Sequence, residues 1–222
     1  MPQIARQGGK IKAPERLRIP SVLRPAGESE LEDDAILKGL SFDGQTFVGR
    51  EIEAAEAEGC KFANVRFTGT NLRQTQFSDS ELVTCDFSQV TAADVSLLRS
   101  SVIGSRLTGS SWKSGTFRDV TFSGCVATPG MFRHMKIYAT AFEDCRLSGA
   151  DFQFTEFHNV KFINCDMTGA QFGNAKVGSM RFENCTLLDV GGAAYLKGTT
   201  VAGPGSMELA LSLAREAGLA FE

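Results

Sequence analysis

The chain has 222 residues and a formal net charge of −3. So small a charge gives no argument for a nucleic-acid or membrane-surface partner. No segment approaches the roughly 18 consecutive apolar residues of a membrane span, and the first ten residues contain no apolar run, so we expect a soluble, cytoplasmic protein.

The first segment, residues 1–28, contains four prolines interleaved with Lys and Arg and shows no apolar periodicity. Prolines in such a context favour an extended arm that is either disordered or lies along the rest of the molecule. A sharper interpretation is that Leu17, Ile19, Val22 and Leu23 pack on a partner or on the first repeat. The sequence leaves these alternatives open.

Residues 29–38 are predicted to form a short capping helix. Ser29 and Glu32 have the spacing of a capping box, and Leu31, Ile36 and Leu37 are expected to provide apolar contacts. A cap is expected here because a repetitive rod leaves an open sheet edge and bare core at each end.

Residues 39–190 repeat every five residues. From Phe42 to Leu187, the thirty positions whose numbers end in 2 or 7 carry large apolar side chains, with three alanines as the only exceptions. This period is neither the 3.6 of a helix nor the 2.0 of an ordinary strand. A fixed short repeat indicates a solenoid, in which each unit buries its apolar side against its neighbours.

Residues twenty positions apart also match, which indicates four repeats per coil and about seven and a half coils. Two columns show this stacking. Inward small positions hold Cys85, Cys125, Cys145, Cys165 and Cys185. Corner positions, where an unusual backbone angle is expected, hold Gly49, Gly69, Gly109, Gly149 and Gly169. We interpret the cysteines as core filling, because the chain has no CxxC pair and both histidines occupy outward positions.

Outward positions are mostly polar or charged. Glutamates at 51, 53, 56 and 58 form an acidic cluster that we interpret as a solvated face, and charges of alternating sign stack from Arg66 through Asp86 to Arg106.

Apolar residues at outward positions are candidates for a protein interface. The candidates are Val83, Leu98, Ile103, Tyr138, Phe154 and Ile163. The first three are expected to be neighbours, and the others lie nearer the C-terminal end among basic residues. The alternative is that they are scattered surface residues, which are common.

The end of the chain leaves the repeat. Residues 191–205 are Gly-rich and predict a linker. Residues 206–222 predict a helix that begins at Ser206 and ends at Gly218 and is apolar on nearly every side, which requires burial. It would cap the last coil alone or also pair with its twin in a homodimer. The candidate dimerisation residues are Met207, Leu209, Leu211 and Leu213.

Blocks such as Cys85-Asp86-Phe87 and the sequence Ala150 to Phe152 resemble the consensus of the pentapeptide-repeat family. The resemblance covers about two thirds of the chain. It implies an all-β fold, a right-handed quadrilateral parallel β-helix with four pentapeptides per coil, closed here by short N-terminal and C-terminal capping helices.

The sequence shows no catalytic constellation, no phosphate-binding loop and no metal ligand set, so we expect neither an enzyme nor a cofactor. A rigid rod without a cleft suits a non-enzymatic protein-binding scaffold, whose partner the sequence does not name. We expect no direct nucleic-acid or membrane partner. The resemblance implies an alternative, since the best-known family members bind DNA gyrase or topoisomerase IV as dimeric DNA mimics and protect against quinolones. A third, disfavoured alternative is an enzyme that uses the cysteine column or the histidines.

Overall fold

The chain bends once in every five residues. From Asp34 to Asp189, residues whose numbers end in 4 or 9 have a positive φ, with Pro129 and Ser179 as the exceptions. This left-handed conformation is easiest for Gly, Asn and Asp. The column of corner glycines from Gly49 to Gly169 has φ between 66° and 69°, so the prediction that these residues form corners is confirmed.

The computed structural model describes residues 11–220; residues 1–10 of the predicted arm and residues 221–222 of the predicted C-terminal segment lie outside the described residues. The bends generate a parallel β-solenoid of about nine turns. Each turn has four sides, which we name in chain order. Face 1 begins with Ile36–Lys38, face 2 with Arg24–Pro25, face 3 with the bridge residue Thr46, and face 4 with Glu51–Glu53.

Strands on each face pair in register with those twenty residues away, except at the two ends of face 2, where Arg24 pairs with Leu40 and Arg181 with Thr200. Face 1 contains Ile36–Lys38, Glu56–Glu58, Gln76–Ser78, Ser96–Leu98, Thr116–Arg118, Lys136–Tyr138 and the first parts of Glu156–Ile163 and Lys176–Glu183. Face 2 contains Arg24–Pro25, Leu40–Asp43, Lys61–Ala63, Glu81–Val83, Ser101–Ile103, Thr121–Ser123, Ala141–Glu143, the second parts of the same two long strands, and Thr200–Ala202.

Strand pairing on the other two faces is less extensive. Face 4 contains Glu51–Glu53, Asn71–Arg73, Thr91–Ala93, Ser111–Lys113 and Met131–Arg133, continued by single bridges at Asp151, Gln171 and Gly191. Face 3 pairs only through single bridges at Thr46, Arg66, Asp86, Arg106, Val126, Arg146, Asp166 and Thr186. Arg66, Asp86 and Arg106, which are predicted to stack with alternating charge, are therefore cross-strand neighbours on face 3.

The apolar centres fill the interior as stacks of aromatic rings. On face 2, the rings of Phe122, Phe142, Phe162 and Phe182 lie parallel, with successive centroids 4.8, 4.8 and 5.1 Å apart. This spacing matches the separation of adjacent strands, roughly 4.8 Å. One large side chain per repeat therefore packs on its counterpart in the next coil.

The cysteines of the predicted column are buried free thiols. Each Sγ donates to a backbone carbonyl, for example Cys125 to Val102 O at 3.3 Å and Cys165 to Phe142 O at 3.3 Å. Burial raises the pKa of the Cys85 thiol to about 12. The five thiols are thus core residues that satisfy carbonyl groups.

The predicted helix at residues 29–38 is wrong. Glu28–Glu30 forms a single 3₁₀ turn, and Ile36–Lys38 is the first strand of face 1. Ile36 is 70% exposed whereas Leu37 is 4% exposed, which is the alternation of a strand. Leu37 continues the five-residue series below Phe42, so the solenoid begins earlier than predicted.

The solenoid also ends later than predicted. Within the segment interpreted as a linker, Ala193–Leu196 forms a 3₁₀ helix and Thr200–Ala202 pairs with the strand at residues 181–183. These additions at both ends explain why the structure has about nine turns rather than seven and a half. The C-terminal helix is present as Gly205–Glu216, and its N-cap is Pro204 rather than Ser206.

Acidic side chains close the open sheet edges at both ends. At the first turn, Glu28 Oε1 accepts from Thr46 N at 3.0 Å, and Asp33 Oδ1 accepts from Glu53 N at 2.8 Å. At the last turn, Glu208 Oε2 accepts from Leu187 N at 2.6 Å. Each carboxylate oxygen takes the place of the carbonyl that another coil would supply.

Candidate protein-interaction surface

The six interface candidates do not form one surface. Val83 and Ile103 are paired neighbours on face 2. Ile163 lies in the same column, three coils beyond Ile103. Leu98 is on face 1, so the corner at Arg99 separates it from the face 2 residues. Ile103 is 41% exposed, whereas the other three are half-buried. The predicted cluster of Val83, Leu98 and Ile103 is therefore divided between two faces.

Tyr138 belongs to a column on face 1 that continues over three coils. The Arg118 guanidinium carbon lies 5.3 Å from the centroid of the Tyr138 ring, and the His158 ring lies 6.2 Å from it on the other side. Gly178 follows in the next coil, where an added Cβ would be 2.5 Å from His158 Nδ1. The missing side chain at Gly178 thus leaves space for the imidazole, and the cation–π contact with Arg118 helps to orient the tyrosine.

Phe154 stands at the corner between face 4 and face 1 with φ 60°. A positive φ is unusual for a bulky aromatic residue and costs free energy. Phe154 is 44% exposed, and its ring stacks on His134, with centroids 4.9 Å apart and planes 9° from parallel. The same corner in the next coil holds Asn174, also at positive φ, which is the residue type that this backbone favours.

Charged side chains flank these aromatic residues. Lys176 Nζ donates to Glu156 Oε1 at 2.8 Å on face 1, and this contact with Lys176 lowers the pKa of the Glu156 carboxyl. On face 4, Arg133 Nε donates to Asp151 Oδ2 at 2.7 Å. Lys136 occupies the same strand as Tyr138 and is exposed.

We name this surface the aromatic patch, and it comprises Arg118, His134, Lys136, Tyr138, Phe154 and His158. Sequence reasoning identified Tyr138 and Phe154 and their basic surroundings but not His158. The twenty-residue spacing of Arg118, Tyr138 and His158 could have placed the three side chains in one column.

The C-terminal helix presents two different sides. Leu209 is 7% exposed and belongs to the core of the rod, whereas Met207 and Leu213 are 68% and 41% exposed. Leu211 is half-buried. The helix is therefore not buried all round, and of the four dimerisation candidates Leu209 is the one that packs inward.

Two models of known families match the repeats. The model described as a pentapeptide repeat region matches residues 135–191, and the model of pentapeptide repeats in eight copies matches residues 53–89. Both matches lie within the solenoid. The predicted resemblance to the pentapeptide-repeat family is confirmed over these residues.

Several solved structures are similar in fold. HetL, a pentapeptide repeat protein involved in heterocyst differentiation regulation in the cyanobacterium Nostoc sp., is 13% identical with a TM-score of 0.49, and the match covers 71% of this chain and 74% of HetL. A trypsin-treated form of QnrB1, a plasmid-mediated fluoroquinolone resistance protein, is 15% identical with a TM-score of 0.46, covering 89% of this chain and 96% of that one. No curated protein matches the chain.

Between residues 11 and 220, no cluster of three or more His, Cys, Asp or Glu side chains has the arrangement of a metal site. None of the helices in that range has the length and apolar character needed to cross a membrane.

Proposed function

We propose that this protein is a non-enzymatic scaffold that binds a protein partner through the aromatic patch. The observation that carries the proposal is Phe154, a large exposed ring held at a backbone conformation that disfavours it. Strain of this kind persists where the surrounding structure or a function requires the residue. Aromatic and arginine side chains are also the residues that most often dominate binding energy. The proposal includes no catalysis, cofactor or metal.

Replacing Phe154 by asparagine should separate stability from binding. Asparagine adopts positive φ readily, and relieving a left-handed aromatic residue is worth about 1 kcal/mol. We therefore expect an unchanged or higher melting temperature, measured by circular dichroism. Partner capture from cell extract, quantified by mass spectrometry, should fall by at least about tenfold with loss of a hot-spot contact.

The matched control for this experiment is Asn174→Gly at the same corner in the next coil, which changes no aromatic side chain. It should retain the partners that Phe154→Asn loses. A protein set captured equally by the wild type, Phe154→Asn and Tyr138→Ala would contradict the proposal.

A homodimer through the C-terminal helix is part of the same proposal. Met207 and Leu213 expose apolar side chains at the end of the rod, where Leu188 and Tyr195 are 44% and 46% exposed as well. Contiguous exposed apolar groups favour association. We expect a dimer in light scattering and a monomer after Met207→Glu with Leu213→Glu, whereas Ala220→Glu should stay dimeric. A monomeric wild type would contradict this arrangement.

The alternative function is modulation of DNA gyrase or topoisomerase IV by a DNA-mimicking surface. The observation that favours it is the acidic cluster at residues 51, 53, 56 and 58, whose four glutamates are exposed on faces 4 and 1. Arg73 lies within 3.9 Å of both Glu51 and Glu53, which reduces the negative charge available. Gyrase supercoiling with and without a fluoroquinolone tests this function, and inhibition or protection at micromolar protein would favour it over the scaffold.

We also propose a cytoplasmic location, because adjacent thiols of the cysteine column would be exposed to oxidation while the chain folds in an oxidising compartment. Cell fractionation with an antibody tests it.

A further inference from the structure

The N-terminal arm, here residues 11–20, lies along the corner between face 1 and face 2. Three backbone N–H groups of the arm donate to side chains at this corner. Lys12 N donates to Asn159 Oδ1 at 2.8 Å, Glu15 N to Asp119 Oδ1 at 3.1 Å, and Arg18 N to Asp79 Oδ1 at 3.0 Å. We name Asp79, Asp119 and Asn159 the corner ladder. Residues 11–20 of the predicted arm therefore lie along the rod.

The contacts follow a strict register. Each step of three residues in the arm corresponds to forty residues, or two coils, in the rod. Three residues of an extended, polyproline-like chain span about 9.3 Å, and two strand spacings span about 9.6 Å. The two periods agree, so an extended chain meets an equivalent acceptor at every third residue without strain.

Apolar side chains of the arm have the same period. Ile11, Pro14 and Leu17 are half-buried, whereas the residues between them are exposed. Pro14 and Leu17 line a cleft together with Ser101 and Thr121 of face 2. Ser101 occupies an outward position of its strand and is nevertheless buried. The corner thus recognises both the backbone and every third side chain of an extended segment.

Charge complements this geometry. Arg99 Nε and Nη2 donate to the two oxygens of Asp79 at 3.0 and 2.7 Å, so Asp79 is an ionised acceptor when Arg18 N approaches it. Asp119 adds a second carboxylate. The arm itself carries Lys12, Arg16 and Arg18 as exposed cations against one exposed anion, Glu15, and is basic on balance.

The arm is held more weakly than a strand would be. Within residues 11–20, the hydrogen bonds to the rod all use side chains at the corner, and backbone pairing with the rod begins only at Arg24, whose N donates to Gly39 O at 2.9 Å. Segments with few, exposed contacts open at low free-energy cost.

We propose that the corner ladder is a binding groove for an extended basic peptide of a partner protein, with an apolar residue at every third position, and that the arm is its resident ligand. The partner segment would displace residues 11–20 and donate its own N–H groups to Asp79, Asp119 and Asn159. This inference depends on the proposed scaffold function in one respect, namely that the partner is a protein. The groove itself can be tested without that partner.

Tryptic cleavage of the full chain measures how often the arm leaves the groove. Asp119→Gly with Asn159→Gly removes two acceptors without backbone strain, because glycine accepts the positive φ of both corners. Loss of these hydrogen bonds should accelerate cleavage after Arg16 by about tenfold or more. Asp94→Gly, at a corner remote from the arm, is the matched control and should cleave at the wild-type rate.

Peptide binding tests recognition directly. A labelled peptide with the sequence of residues 9–20 is titrated into a full-length variant carrying Glu15→Pro and Arg18→Pro, which removes two N–H donors of the arm but keeps it extended. This variant should bind the peptide at least tenfold more tightly than the wild type, whose arm competes at an effective concentration near millimolar. Addition of Asp119→Gly and Asn159→Gly should abolish binding, and a scrambled peptide should not bind.

Equal cleavage rates in the wild type and the Asp119→Gly, Asn159→Gly variant would overturn the proposal. So would an absence of peptide binding, or peptide binding with the same affinity whether or not these two substitutions are present. Tyr138→Ala and Phe154→Asn should leave both measurements unchanged. Failure of the groove and failure of the aromatic patch are therefore seen separately.

Discussion

Replacing Phe162 by alanine is expected to lower the free energy of unfolding by about 3 to 5 kcal/mol. Phe162 is fully buried, and its ring stacks between Phe142 at 4.8 Å and Phe182 at 5.1 Å. The backbone of adjacent coils is fixed by strand pairing, so the neighbours cannot collapse into the space left by the ring. Urea denaturation followed by circular dichroism measures the change.

Two further variants make this measurement specific. Phe162→Leu keeps most of the buried volume and should cost less than half as much as alanine. Phe154→Ala removes the same ring from an exposed corner and should change stability little. An equal effect of alanine at residues 154 and 162 would mean that the inward and outward positions of the repeat are assigned wrongly.

Removing two carboxylates that accept from backbone N–H groups at the C-terminal end of the rod is the second large expected effect. Glu216 accepts from Ala193 N at 2.9 Å and Ala194 N at 3.0 Å, and Glu208 accepts from Leu187 N. Glu208→Ala with Glu216→Ala leaves three backbone donors without these charged acceptors, which should cost about 1 to 3 kcal/mol for each carboxylate. Thermal unfolding of the double variant measures the loss.

The same double variant should also associate. An unpaired edge of parallel strands is a template for pairing with another chain. Glu208 occupies a backbone donor of that edge, whereas Glu216 caps the 3₁₀ helix Ala193–Leu196 beside it. We expect light scattering that rises with protein concentration, whereas Glu56→Ala, an exposed position on face 1, should behave as the wild type. A double variant that keeps both its melting temperature and its size would show that the helix alone protects the edge.

Acid should loosen the Arg18 end of the arm. Hydrogen bonds from Arg99 and from Arg18 N lower the pKa of Asp79 below its ordinary 3.8. The ionised carboxylate therefore stabilises the folded state above about pH 4, and this contribution is lost as pH falls through the lowered pKa. Arg99, Arg18, Lys38 and Glu58 are the charged groups around the same cleft.

Cleavage of the arm by an acid-active protease, compared between pH 5 and pH 3, measures this loosening. Asp79→Asn should show a smaller change across that range than the wild type. An identical pH dependence in both proteins would contradict a role for Asp79.

The repeat could be predicted from sequence because one physical rule is applied in every block. A large inward residue at the centre, a small one two positions before it and a corner residue two positions after it recur with little change, so the core and the corners follow together. The ends could not be predicted equally well. Ser29 and Glu32 have the spacing of a helix N-terminus, but Leu37 is a buried core residue of the first turn. The free energy gained by burying Leu37 in a strand outweighs the local capping pattern.

The candidate surfaces show the same limit. Individual outward residues such as Tyr138 and Phe154 are recognisable in the sequence. Their grouping depends on which face each strand occupies, and that separates Leu98 from Ile103. The position of the arm could not be predicted from the sequence. Its acceptors Asp79, Asp119 and Asn159 are spaced forty residues apart and resemble any other corner residue.

The arm also has a consequence for the order in which the molecule is completed. Most coil contacts join residues about twenty apart, but Lys12 and Asn159 are 147 positions apart. During synthesis the acceptors emerge one after another, Asp79 first and Asn159 last, separated by about 2 to 8 s at ordinary translation rates. The arm would therefore dock progressively from Arg18 towards Lys12, and its last contact would form only when nearly the whole rod exists. A protease would then cleave the arm of a truncated molecule, where it is not fully docked, more readily than the arm of a finished one.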